Sequence, residues 1–184
     1  MANEIHLRTP LKTEDLEKLK VGDKVLLTGK VYTARDAAHK RLVELVEAGK
    51  QLPFDIEGAA IYFVGPSPAR PGKPIGSAGP TTSYRMDPYS PALLDVGLKA
   101  MIGKGPRGPK VIDSMVKNKA VYLASIGGAA VVTAQSVKSC KIIAYEDLGA
   151  EAIRELEVEE FPAFVANDTK GNDIFQLGVE KYRR

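Results

Sequence analysis

Apolar positions along the chain change period several times, and each change marks an element. Lys24 to Ala34 (KVLLTGKVYTA) is β-branched and apolar and predicts a strand, with Gly29 in its middle marking a bulge or hairpin. From Arg35 the apolar residues Ala38, Leu42, Leu45 and Val46 recur at helical spacing, and Gly49 stands where a helix stops. That stretch predicts a helix of about three to four turns. Thr13, followed by the acidic Glu14 and Asp15 and the apolar Leu16 and Leu19, reads as a capped short helix. Ala59 to Val64 (AAIYFV) is a continuous apolar run, short enough for a buried strand.

Residues 65–80, GPSPARPGKPIGSAGP, carry five prolines and four glycines, a density that disfavours helix and sheet alike. A loop of this length raises the expectation of a site at its end. Beyond it the pattern alternates. Helices are predicted over Tyr89–Val96, Lys110–Lys117, Ala129–Val137 and around Glu151–Arg154. Strands are predicted over Lys99–Ile102, Ala120–Ala124, Lys141–Tyr145, Glu157–Val165 and Asp173–Leu177, the last two around a hairpin-type turn at Asn167–Gly171. Alternation after residue 88 predicts an α/β fold with some parallel pairing, and the amino-terminal strands add a β-rich layer.

Composition narrows the chemistry. The 184 residues carry a net charge of +3, no tryptophan and no basic run of five, so generic nucleic-acid binding is poorly served. The longest uncharged run, Ala120 to Val137, contains Ser125, Gly127, Gly128, Thr133, Gln135 and Ser136 and reads as strand, glycine turn and helix, not a membrane span. The amino terminus, MANEIHLRTP, lacks a basic patch followed by an apolar stretch, which predicts no secretory signal and a cytoplasmic location. A single cysteine, Cys140, with two histidines, His6 and His39, cannot build a cysteine-based metal or iron–sulfur site within one chain.

Three segments hold polar groups at loops or element ends, where function concentrates. They are Thr33–Arg41 (TARDAAHKR), Gly79–Asp87 (GPTTSYRMD) and Gly103–Gly108 (GKGPRG). The last lacks the spacing of a phosphate-binding P-loop. Together they offer Arg35, Arg85 and Lys104 with the hydroxyls of Thr81 and Thr82, a set suited to carboxylates, because guanidinium forks grip carboxylate oxygens bidentately and lysine adds a mobile charge.

The runs RDAAHKR, GPTTSYRMD, GKG, SIGGAA, YEDLG and VEEFPAFVANDTKGND, in this order from about Thr9 to Gln176, resemble the beta subunit of class I fumarate hydratases and its relative, the L-tartrate dehydratase beta subunit. The resemblance implies one swivelling β/β/α domain with a mixed sheet over residues 1–184. It also implies a separate alpha subunit that binds a [4Fe–4S] cluster through three cysteines, in a hetero-oligomer acting on fumarate and malate. Under it, Arg35, Thr82, Arg85 and Lys104 contact substrate, Thr81 is the proposed base, and Arg107 matches no site residue. The start at a complete-looking amino terminus is likewise expected to mean a separate alpha chain. Tartrate dehydration is the neighbouring alternative; a carboxylate-binding or assembly module without catalysis is the other.

Elementary chemistry agrees with this set. Hydrating a dianionic dicarboxylate requires cationic clamps, a Lewis acid for the hydroxyl and proton transfer at the adjacent carbon. The chain offers clamps and hydroxyls, which is half of such a site. An alcohol is a poor base at neutral pH unless cations stabilise its alkoxide, so Thr81 either moves the proton in a strongly positive setting or hydrogen-bonds a carboxylate. His39 is expected to orient the Arg35 turn, Asp36 to cap the helix or partner a basic side chain, and Cys140 to be a small buried residue.

Overall fold

A computed structural model describes residues 4–125 and 130–183 of the chain. Its three shortest strands, β3 (Ala60–Tyr62), β4 (Ala100–Gly103) and β5 (Val121–Ala124), are apolar throughout because each is covered on both faces. Side chains alternate across the pleat. Ala60, Tyr62, Ala100, Ile102, Val121 and Leu123 enter one core, while Ile61, Met101 and Tyr122 enter a second.

The first core is the inside of a closed sheet. β2 (Lys24–Thr33), β3, β4 and β5 pair in parallel in that order, and β7 (Ile153–Asn167) runs antiparallel between β5 and β2, closing a five-stranded ring. The closing ladder runs from Lys24 opposite Phe164 to Tyr32 opposite Glu155. Its register shifts between Leu27 and Gly29, and Gly29 sits at φ +113°, so the bulge expected from the sequence is present. β1 (Glu4–Arg8) extends the sheet parallel to β2, and β6 (Val137–Ala144) extends it antiparallel to β7. Val25, Leu27, Val31, Leu156, Val158 and Phe161 fill the ring. Leu16 and Leu19, from the short helix α1 (Thr13–Leu16) and its exit, join this core, as do Ile75 and Ala78 from the proline-rich loop.

The second core lies outside the ring, under helices α2 (Asp36–Glu47), α3 (Ser90–Asp95) and α4 (Pro109–Asn118). Each helix contributes its apolar stripe: Ala38 and Leu42, Leu93 and Leu94, Val111 and Met115. The arrangement is α/β with a mixed sheet, as expected. No helix among the described residues is long and apolar enough to cross a membrane.

Several expected boundaries moved. β1 is a strand that the sequence pattern does not show. β6 begins at Val137, four residues earlier than expected, and takes the last residue of the helix predicted over Ala129–Val137. Helix α5 spans Ala130–Ser136; Ala129, with Ile126 to Gly128 of the SIGGAA run, lies outside the described residues. In place of a helix around Glu151–Arg154 there is a 3-10 turn over Glu146–Glu151, and the chain is already extended from Ile153. Asp173–Leu177 is not a strand: α6 spans Ile174–Tyr182, because the Asp173 carboxylate accepts the Phe175 N–H at 2.8 Å and caps a helix there.

Because Phe161 is wholly enclosed in the ring whereas Tyr182 is 75% exposed, truncation should separate the two sharply. Phe161→Ala is expected to cost about 3–5 kcal/mol in urea unfolding, and Tyr182→Ala less than about 0.5 kcal/mol. Equal losses would mean that the ring interior is not the packed core.

Candidate active site

The residues singled out from the sequence come together at one end of the sheet, beyond the carboxyl ends of parallel strands. Arg35 follows β2, Lys104 follows β4, and Thr81 donates its backbone N–H to the carbonyl of Phe63, just after β3, at 2.7 Å. Thr82 and Lys104 form a parallel bridge, and Ser83 N–H donates to the Lys104 carbonyl at 2.9 Å. Arg85 rides on the 3-10 turn Ser83–Met86 that begins there. In α/β folds, closed barrels included, ligand sites commonly lie in the loops beyond the carboxyl ends of parallel strands.

Acidic side chains tie the two arginines together. Asp36 Oδ2 lies 3.0 Å from Arg85 Nε, and Asp36 Oδ1 lies 4.0 Å from Arg35 Nε. Arg35 Nη2 lies 3.3 Å from Glu151 Oε1, while Glu151 Oε2 accepts the Ala37 N–H at 3.1 Å. Glu151 therefore satisfies a first-turn amide of α2 and anchors the arginine that precedes the helix. Gly65 makes room for this: a Cβ there would stand 3.2 Å from both Cδ and Nη1 of Arg35. Asp36 partners basic side chains, one of the two roles expected for it. Glu151 was not foreseen, and no local signal could have shown it, since 114 residues separate it from Ala37.

Thr81 is placed by the end of the proline-rich loop. Ser67 N–H donates to the Ser77 carbonyl at 3.0 Å and Ser77 N–H to Ser67 Oγ at 2.8 Å, which pins the loop at its neck. Three residues before Thr81, the Ala78 carbonyl accepts from the Tyr62 hydroxyl inside the ring and from Thr133 Oγ1 of α5 at 3.1 Å. Among the described residues the Thr81 hydroxyl makes no hydrogen bond and Lys104, which is exposed, has no acidic partner. Both are available to a ligand.

Arg107 is structural. Its wholly buried side chain donates from Nε to Asp87 Oδ1 at 2.7 Å and from Nη2 to Ser90 Oγ at 2.6 Å, between the rings of Phe63 and Tyr122. Asp87 Oδ2 accepts the Gly108 N–H at 2.7 Å, so this pair fixes the loop that carries Lys104. Nearby, Ser83 Oγ and the Tyr122 hydroxyl bond at 2.8 Å, and a Cβ on Gly103 would collide with that serine and stand 2.9 Å from Phe63. Close approach of two backbones is what Gly103 permits.

Comparison with known proteins fits this geometry. Residues 1–178 match the family model described as fumarase C-terminus. The chain belongs to the fumarase C-terminus family. It is 45% identical to the anaerobic class I fumarate hydratase of Escherichia coli K12 over 98% of its own length, and 39% identical to a putative L(+)-tartrate dehydratase subunit beta of Methanocaldococcus jannaschii over 90%. It spans about a third of the fumarate hydratase, 34%, but 88% of the tartrate dehydratase subunit. The L(+)-tartrate dehydratase subunit beta of Escherichia coli K12 is 37% identical, with 85% of it covered. Fumarate hydratases and tartrate dehydratases are hydro-lyases.

The donor set of this family member does not fit an iron–sulfur cluster. Cys140, its one cysteine, is half-buried on β6, where burial pushes the thiol pKa up and favours the protonated form, a poor ligand. Among the described residues no group of three histidine, cysteine, aspartate or glutamate side chains could hold a metal ion.

His39 is buried on α2 with Nδ1 2.9 Å from the Arg35 carbonyl, so Nδ1 carries the proton and donates it. It orients the Arg35 turn, as expected. Burial pushes its pKa down to about 4, outweighing that hydrogen bond, and Arg107 acts in the same direction as burial. A histidine depressed in the folded state leaves the unfolded chain binding the extra proton, so stability is full above about pH 6.5 and falls as pH drops toward 4. Between pH 7 and 5.5 the loss should be about 1 kcal/mol, read as the difference in urea unfolding free energy between wild type and His39→Gln. An identical pH slope in both would place the imidazole in water.

Proposed function

We propose that this chain is the beta subunit of a two-chain iron–sulfur hydro-lyase that reversibly hydrates fumarate to L-malate, with the active site shared between this chain and a cluster-bearing alpha subunit. The observation that carries this is the convergence of Arg35 and Arg85 on Asp36, with Thr81, Thr82 and Lys104 in the adjoining loops, at the carboxyl ends of β2, β3 and β4. Three cations grouped with two hydroxyls suit a small dianion such as a dicarboxylate. Coverage of 88% and 85% of two relatives named subunit beta supports a separately encoded partner. We assign the [4Fe–4S] cluster to that partner, because the ligands are not in this chain, and the cytoplasm as the compartment.

The roles divide by chemistry. Arg35 and Arg85 grip substrate carboxylates, Lys104 adds positive charge from its mobile arm, and Thr82 donates a hydrogen bond. Thr81 handles the proton: in dehydration its oxygen takes the proton from the carbon next to the carbinol carbon, and in hydration it returns it. An alkoxide at Thr81 is tolerable only beside uncompensated positive charge, and among these three side chains Lys104, across the bridge from Thr82, is the one without an acidic partner among the described residues. The anchored guanidiniums meet the extra negative charge that builds on the carboxylate as that proton leaves.

Co-expression of this chain with its partner is expected to give an assembly that hydrates fumarate, whereas this chain alone is inactive. Turnover of L-tartrate and not fumarate by the assembly would overturn the substrate assignment. In the assembly Cys140→Ser should leave cluster absorbance unchanged; its loss in a folded variant would move a ligand into this chain. Arg85→Lys should lower kcat/KM for fumarate about a hundredfold, since lysine cannot reproduce a two-point grip and small misplacements are costly. Arg8→Lys, on the exposed edge of β1, is the control, and equal behaviour of the two would make Arg85 a surface charge.

A further inference from the structure

Asp36 is the one anionic contact of Arg85 among the described residues, and it touches that guanidinium at Nε, 3.0 Å away. A guanidinium offers a side edge through Nε and an end through its two terminal nitrogens. With the carboxylate lying against the Nε edge, the terminal pair carries no anionic contact among the described residues. The same carboxylate faces Arg35 Nε at 4.0 Å, and both Asp36 Oδ1 and Arg35 Nε are buried without a hydrogen-bond partner of their own. Arg35 has a second anchor in Glu151 and sits at a helix start fixed by His39. Arg85 has neither. Its side chain is 48% exposed, on a 3-10 turn of four residues, so without Asp36 it would be free to sample its rotamers.

We propose that Asp36 is a positioning residue for the carboxylate clamp: it holds the Nε edge of Arg85, presenting the terminal nitrogens as a preformed fork, and sets the spacing between Arg85 and Arg35. This rests on the reading that Arg85 receives a substrate carboxylate. Ordering a long side chain before binding removes that cost from the binding step. The opposite role has the opposite sign. If Asp36 were a stand-in for substrate that must be displaced, removing its charge would tighten binding.

The test uses the assembled two-chain enzyme with Asp36→Asn, Asp36→Glu, Arg85→Ala and the double variant Asp36→Asn/Arg85→Ala. KM and kcat for fumarate are measured at about 0.1 M and about 1 M potassium chloride, where screening lengths are about 10 and 3 Å. Asp36→Asn is expected to raise KM about tenfold at both salt concentrations while kcat changes much less, with Asp36→Glu recovering part of the loss. In the Arg85→Ala background Asp36→Asn should add nothing, because it acts through Arg85. A lower KM, an unchanged KM, or an equal effect without Arg85 would each overturn the proposal. A measurement without turnover follows the nitrogen-15 relaxation of the Arg85 side chain in the full chain labelled with nitrogen-15 arginine. An ordered guanidinium in wild type and a mobile one in Asp36→Asn is expected, and equal order in the two would overturn the proposal. Should the assembly neither hydrate fumarate nor dehydrate tartrate, the functional reading falls, while the relaxation still decides the role of Asp36.

Discussion

The antiparallel ladder between β2 and β7 is the interaction on which the rest of the molecule depends. Without it the parallel strands β2 to β5 would form an open sheet whose inner face, lined by Val25, Leu27, Tyr62, Ile102 and Leu123, lost Leu156, Val158 and Phe161 of β7 as packing partners. Closing the ring turns that face into an enclosed core and leaves the outer face to α2, α3 and α4. The groups of the candidate site gather beyond the carboxyl ends of those strands. The hydroxyl of Tyr62 links the two levels, reaching from the ring interior to the carbonyl of Ala78 just before Thr81.

Positive charge at the site is concentrated but not left bare. Asp36 and Glu151 neutralise much of the charge of the two arginines, whereas Lys104 keeps its own. A partly buried guanidinium without a counter-ion would be expensive to hold in place. Arg107 shows the same rule in its strict form. It is buried outright, and it is held by Asp87, Ser90 and two aromatic faces. Two arginines that look alike in sequence, Arg85 and Arg107, thus sit in opposite settings, one half-exposed with a single carboxylate at its Nε edge and one buried and fixing a loop.

What could be read from sequence follows the range of the interactions involved. β2 was legible because its β-branched and apolar content lies in consecutive residues, α2 because its apolar residues recur at helical spacing, and the bulge at Gly29 because glycine inside such a strand is locally anomalous. β6 was foreshortened because Val137–Ser139 at its start mixes lysine and serine with a single valine, as a strand at the sheet margin can. The residues of α6 read as a strand because Ile174, Phe175 and Leu177 are a short apolar cluster, and only the cap at Asp173 decides the matter. Ring closure was invisible, since it joins residues such as Lys30 and Glu155, 125 positions apart. Arg35, Thr81, Thr82, Arg85 and Lys104 were singled out through ordered motifs, and the fold brings them to one end of the sheet. Their acidic keepers were harder: Asp36 adjoined Arg35 and could be guessed, but Glu151 could not.

The neck formed by Ser67 and Ser77 separates the proline-rich loop into two mechanical parts. Below it Ala78 is buried with the ring; beyond it Ile75 alone reaches back into the core, while the tip from Ala69 to Lys73 is exposed. Length added at such a tip costs little, because the entropy of closing a loop grows only with the logarithm of its size and no buried group has to move. As far as this chain's own contacts go, the tip is therefore a port through which a tag, a dye or a whole additional module can be grafted without disturbing Thr81.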